Sequence, residues 1–205
     1  MTLLYPTYFP SIAQMVAIVQ SGDILFEIED NYQKQTYRNR TYIAHANGKL
    51  LLNVPIQHSK NSHRQKTKDV IVDNSFPWQS QHWKSLQSAY RTSPFFEFYE
   101  DELEPLFSEK VERLLDFNLK VFDTLCELIQ LETTYTLTTE YQKNPIIKDL
   151  RHLVLAKKEP SYPLTQYNQV LQEKHGFISN LSVLDLLFNE GPNTINYLET
   201  QNLVF

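Results

Sequence analysis

The chain has 205 residues, with 19 Lys and Arg against 24 Asp and Glu, 41% hydrophobic residues and 13% aromatic ones. Twelve Tyr, twelve Phe and two Trp supply a sizeable core, and only four glycines exclude a low-complexity or disordered polymer. The longest mostly apolar stretch, Ile12 to Ile28, is broken by Gln14, Gln20, Ser21, Gly22, Asp23 and Glu27, so no membrane span is expected. A lone Cys126 and the absence of a basic leader point to a reducing, cytoplasmic home.

In chain order, Leu3 to Tyr5 reads as a short strand running into Pro6 and Pro10. Ser11 then caps a helix through Gln20, on which Ile12, Met15, Val16 and Val19 recur at helical spacing and which Gly22 ends. Ile24 to Ile28 is a second strand, and strand, helix, strand predicts a parallel βαβ unit. In open α/β sheets ligands sit beyond the carboxyl ends of the strands, here the loop Pro6 to Pro10 and the segment starting at Glu29. Leu50 to Ile56 and Val70 to Val72 read as strands flanking a long polar loop, His58 to Lys68.

Pro77 opens a helix to about Arg91, with Trp78, His82, Leu86 and Tyr90 four apart on one face. The acidic run Glu100 to Glu104 suits the start of the next helix. An apolar stripe from Leu114 to Ile129 predicts a helix interrupted near Asp116 or Asn118. Thr133 to Tyr141 reads as a strand, Tyr167 to His175 as a helix ended by Gly176, and Ser182 with Asp185 as a capping box for a helix stopped by Gly191 and Pro192. No repeat or linker divides the chain. The expectation is one α/β domain over 1–205, a central sheet with an N-terminal parallel βαβ unit and a helical C-terminal half.

Charge is the sharpest feature. From Asn31 to Lys68 there are eight cations (Lys34, Arg38, Arg40, Lys49, Lys60, Arg64, Lys66 and Lys68) and no acid, so a stretch of +8 in a chain of −5 leaves the rest at −13. Two readings compete: an anion site, or a solvated face whose cations pair with Glu27, Asp30 or the 97 to 104 cluster. Arg38 and Arg40 alternate along an extended segment, so both can point to one concave face shared with Lys34. Nucleic acid fits poorly, because the chain is acidic overall with a sequence pI near 5.7.

Asp30, Asn31, Tyr32 and Lys34 follow the second strand and can orient a polar substrate, or form only an Asp-Asn turn. His82, beside Trp83 and two turns from Tyr90, reads as a general base or as a satisfied core residue. Tyr8, Tyr32 and Tyr37 stand in polar or Pro-flanked contexts that suit stacking on a sugar or base ring. His45, His58 and His63 lack metal-site spacing, and Cys126, between Asp123 and Glu127, reads as core. No Gly-rich phosphate loop, Cys pair or GxSxG elbow occurs, and no cofactor is indicated.

Several stretches together resemble the WbqC-like protein family: Pro6 to Pro10, Asp30 to Arg40 with its KQTYRNR run, Trp78 with His82-Trp83, Ser88 to Tyr90, Ser93 to Glu97, Asp116 to Asn118 and Asn180 to Asn189. One departure is that Tyr5 stands where many members of that family carry Gln. The resemblance implies a bacterial cytoplasmic protein of O-antigen or surface-polysaccharide biosynthesis, with transfer of glycine onto a sugar as the proposed activity. It also implies other polysaccharide-biosynthesis enzymes as partners.

Joined to the residue pattern, the expected ligand is a small anionic sugar or nucleotide sugar. Tyr8, Asn31, Tyr32, Lys34, Arg38, Asn39, Arg40 and Tyr90 are its candidate contacts, and His82 and Asp30 the candidate catalytic groups. The alternative is a binding module with no turnover.

Overall fold

The computed structural model describes residues 1–57, 65–157 and 159–205. Residues 58–64, the larger part of the polar loop with His58, Lys60, His63 and Arg64, lie outside the described residues.

The N-terminal unit forms as the sequence predicts. Strand β1 (Thr2–Leu4) pairs in parallel with β2 (Ile24–Phe26), in the register Thr2 to Ile24. Between them runs helix α1 (Ile12–Val19), whose cap Ser11 accepts a hydrogen bond from the Gln14 amide. The helix ends at Val19 with Gln20 as its cap, matching the expected end; there the Ser21 amide bonds Ile18 in a tighter turn and the Gln20 side chain donates to the Gln201 carbonyl.

A hairpin follows, β3 (Arg40–His45) antiparallel to β4 (Gly48–Asn53), turning through Gly48 at φ 99. The stretch Val70 to Val72 forms only isolated bridges, Ile71 to Arg113 and Val72 to Ile56.

Helix α2 (Trp78–Tyr90) buries Trp78, His82, Leu86 and Tyr90, the face expected from the spacing of four. The acidic run does not open the next helix: α3 (Phe96–Leu103) is set by burial of Phe96, Tyr99 and Leu103, which leaves Glu100 to Glu104 at its end. There Glu100 accepts from Gln87 of α2 and pairs with Arg91, the residue that caps α2. A short α4 (Pro105–Ser108) leads to α5 (Leu114–Leu128), which runs unbroken. Its Asn118 is a tether, not a breaker, since the amide donates to the carbonyls of Pro6 and Arg38.

Strands β5 (Tyr135–Leu137) and β6 (Lys148–Asp149) complete a four-stranded parallel sheet of order β5-β2-β1-β6. Only Gln172–His175 of the predicted 167 to 175 helix forms, as α6. The Val170 amide is satisfied by the Asn189 side chain, so this backbone needs no helical partner.

Helix α7 (Val183–Glu190) is capped by Ser182 as predicted, but Asp185 turns inward. It accepts from the Tyr90 and Tyr167 phenols and the Gln169 amide, joining α7 to α2 and to the 167–169 segment. Gly191, at φ +53 with the Phe95 ring 2.5 Å from where a Cβ would stand, turns the chain into α8 (Thr194–Thr200). Helix α1 packs on α7 and α8, and one continuous cluster of apolar residues runs from Leu4 to Leu198.

Candidate functional site

The sheet order places a topological switch point between β1 and β6, where the chain leaves β1 toward β2 and β5 and returns on the opposite side. A crevice of about 300 Å3 opens there, lined by Tyr5, Gln33, Tyr141, Asp149, Arg151 and His152 among others. Its charges answer one another. Arg151 forms two short bonds to Asp149, at 2.9 and 2.6 Å, and lies 3.5 Å from the fully buried Glu27. Glu27 also accepts from the Glu29 amide and the Thr138 hydroxyl.

Arg38 belongs to this network. It is 1% exposed, bonds Asp30 at 2.6 Å and lies 3.7 Å over the Tyr5 ring. Asp30 accepts a second bond from the Thr67 hydroxyl. The expectation that Arg38 and Arg40 share a concave face therefore fails at Arg38. A turn through Tyr37 and Arg38 breaks the alternation just before β3 begins, and it sends Arg38 inward to Asp30.

Tyr8 and His82 meet in the core. The Tyr8 phenol lies 2.8 Å from His82 Nδ1, in a cage with Phe9, Trp78 and Phe117. Phe9 holds φ 45, an unusual backbone state for a bulky residue, and Tyr8 directly before it is fully buried. Burial lowers the His82 pKa to about 4, while a backbone bond with Asn53 pulls the other way, so the ring is neutral at pH 7. Tyr90 is equally interior: its phenol donates to Asp185 and accepts from the Ala44 amide. Burial, helped by Asp123 and Glu127, pushes the Cys126 thiol up to about 12, an unreactive core thiol.

The remaining candidates converge elsewhere. A cleft of about 390 Å3 is lined by Tyr32, Lys34, Gln35, Asn39, Arg40, Asn53, Pro55 and Ile56. Both ends of its outer wall are stitched down. The Tyr32 amide donates to the Gln65 carbonyl, Tyr37 bonds Val154, and between them Gln35 takes φ 62.

Across from this wall stands the base of the β3–β4 hairpin. There the Asn39 amide nitrogen donates to Asn53 Oδ1 at 3.2 Å and to the Val54 carbonyl at 2.8 Å. Burial raises the Tyr32 phenol to about 12 against the pull of Arg38 and Arg40, so it stays a neutral donor. Among the described residues neither Lys34 nor Arg40 has a carboxylate partner, whereas Lys66 and Lys68 both bind Glu29. Among the described residues seven buried side-chain atoms have no hydrogen-bond partner, and Asn39 Oδ1, Arg40 Nε and Arg38 Nε are three of them.

Four candidates, Tyr32, Lys34, Asn39 and Arg40, thus share one cleft. Asn31 is exposed and bridges to Lys66. Tyr8, Asp30, Arg38, His82 and Tyr90 are buried in the interior, and His82 is linked to the cleft through the Asn53 backbone. The sequence reading placed neither Tyr5 nor Arg151 in a site and named Glu27 only as an acid for ion pairing. Glu27 and Tyr5 stand at the carboxyl ends of predicted strands, a signal that was present, but Arg151 follows a two-residue strand that no local pattern marks. Among the described residues no group of His, Cys, Asp and Glu is arranged to hold a metal ion, and no helix is long and apolar enough to cross a membrane.

Comparison with known proteins takes in the quoted stretches from Pro6 to Asn118, while Asn180 to Asn189 lies beyond the residues the family model matches. No solved structure matches the chain. Rv1507c, an uncharacterised protein of Mycobacterium tuberculosis (strain ATCC 25618 / H37Rv), is 24% identical over 225 residues, covering 89% of this chain and 96% of its own. The family model for WbqC-like proteins matches residues 5–161, which takes in both the switch-point crevice and the cation-lined cleft, and the chain belongs to the WbqC-like protein family.

Proposed function

We propose that the chain binds an anionic sugar or nucleotide sugar in the cleft between residues 32–35 and the base of the β3–β4 hairpin. On this reading it is a cytoplasmic protein of surface-polysaccharide biosynthesis, serving the transfer of glycine or another amino acid onto the bound sugar. One observation carries the binding half: Lys34 and Arg40 line the same cleft, and no described carboxylate neutralises either of them. Cations without a partner in a concave site keep their field for an external anion, which supports a ligand there. Lys34 and Arg40 would hold the anion and Tyr32 would offer its ring to the sugar or base. The transfer half rests on what family resemblance implies.

A second reading, a binding module without turnover, is favoured by the state of the two candidate catalytic groups. Asp30 is held by Arg38 and Thr67, and His82 is buried against Tyr8. In either reading these two are positioning residues, which hold the 30–40 segment and Asn53 around the cleft.

Calorimetric titration with inorganic pyrophosphate and with UDP-glucuronic acid tests the binding half. Binding that Arg40→Ala abolishes supports it, and absence of binding for both probes defeats it. Mass spectrometry of a nucleotide sugar incubated with the protein and an activated amino-acid donor separates transferase from module.

A further inference from the structure

We propose that residues 139–147 form a lid over the carboxyl edge of the sheet, pinned at both ends and latched in the middle on Arg151. The strands they join, β5 and β6, lie in parallel at opposite edges of the sheet, so the chain must recross its whole width in the ten residues between Leu137 and Lys148. A crossing between parallel strands is ordinarily made by a helix, and this one contains none. Its ends are fixed, because the Thr138 amide bonds the Phe26 carbonyl and the Leu150 amide bonds the Leu3 carbonyl. Between them, among the described residues, no backbone group of 139–147 bonds another backbone group, and none of these residues is buried. Exposure and the lack of backbone bonds make such a segment the first to open while the rest of the fold stays closed.

Beneath it, Thr136, Leu25, Leu3 and Asp149 form one row across the sheet and share a face. A cavity of about 200 Å3 is lined by Leu3, Leu25 and Glu27 from the sheet and by Leu137, Pro145 and Ile147 from the crossing segment. The switch-point crevice of about 300 Å3 has Tyr141 and Arg151 in its wall. Glu27 of the first hollow lies 3.5 Å from Arg151 of the second, so the two adjoin. The latch closes over that contact: Arg151 Nη2 donates to the Lys143 carbonyl at 3.2 Å, and the guanidinium stands 5.2 Å from the centre of the Tyr141 ring. Lifting the segment breaks these two contacts and leaves Arg151 bound to Asp149. It also joins the two hollows into one site at the edge where open α/β sheets receive ligands. The cation-lined cleft contains no residue of this segment, so the lid and the anion site stand or fall separately.

The test reads how readily a thiol under the segment is reached in the full chain. Leu25→Cys sets one in the covered row, and Cys126, a core thiol pushed up to about 12, gives no competing signal. N-ethylmaleimide should modify the introduced thiol about tenfold or more slowly than a free thiol, at a rate that urea below the unfolding transition barely changes. Adding Tyr141→Ala should raise that rate about fivefold, the loss of one cation–π contact, and Tyr141→Phe, which keeps the ring, should leave it at the parent value. Labelling as fast as a free thiol means that the face is never covered, and a rate that climbs with urea as steeply as global unfolding means that the segment never opens by itself. Either overturns the lid. An unchanged rate in Tyr141→Ala removes the latch and overturns the proposal. Trypsin cleavage after Lys143 reads the same opening in the chain that keeps Leu25. There Tyr141→Ala should be cut faster than the parent, and equal rates overturn the proposal.

Discussion

Arg38 and Arg40 stand two residues apart and live in different regimes. Arg38 is sealed in the network at the carboxyl edge of the sheet, held by Asp30 and laid over Tyr5. Arg40 lines an open cleft with Lys34, and no described carboxylate faces it. A buried cation with its partner is part of the scaffold, since removing one member strands the other in a low-dielectric interior. A half-exposed cation without a partner leaves folding almost unaffected and keeps its field for an external anion. Position on a charge-rich segment therefore says little about role until the backbone turn between the two residues is known.

The largest expected effect breaks the scaffold side. Arg38→Met should destabilise the protein by about 3–5 kcal/mol in chemical denaturation, because Asp30 is left buried and uncompensated. The double change Arg38→Met with Asp30→Asn should recover part of that loss. If Arg38→Met alone is as stable as the parent, the pairing is not structural.

Acid reaches the same interior through His82. Its folded pKa of about 4 lies below the ordinary 6.5, so the unfolded chain takes up a proton that the folded chain refuses. Stability should accordingly fall as pH drops from about 6.5 toward about 4, by up to about 3 kcal/mol. His82→Gln should flatten that limb, which urea midpoints measured across this range would reveal.

On the cleft side, Arg40→Ala and Lys34→Ala should each change folding stability by less than about 0.5 kcal/mol. Each should weaken pyrophosphate binding by about 1.5–3 kcal/mol, the contribution of a hydrogen bond to a charged group. Loss of folding in Arg40→Ala would erase the contrast between the two arginines.

The smallest effect is the response to salt. Raising sodium chloride from about 0.1 M to about 1 M shortens the screening length from about 10 Å to about 3 Å, so pyrophosphate binding at the cleft should weaken. The coupling of Arg38 to Asp30, measured by a double-mutant cycle, should hold, because a pair this deeply buried is poorly screened.

Legibility in the sequence followed the range of the forces involved. The Ser11 and Ser182 caps, the four-apart face of α2, the first βαβ unit and the choice of α/β were determined by residues within a turn or a strand length of one another. The convergence of Tyr32, Lys34, Asn39 and Arg40 was partly visible, because all four fall within nine residues. Other features required the tertiary structure. Glu100 to Glu104 ended a helix because Phe96, Tyr99 and Leu103 had to be buried. Asp185 left its capping position for two distant phenols. Arg38 turned inward because Asp30, brought alongside by the 65–67 segment, was there to receive it. In each case desolvation makes a buried polar group or charge depend on partners far along the chain. Those partners meet only once the fold has closed.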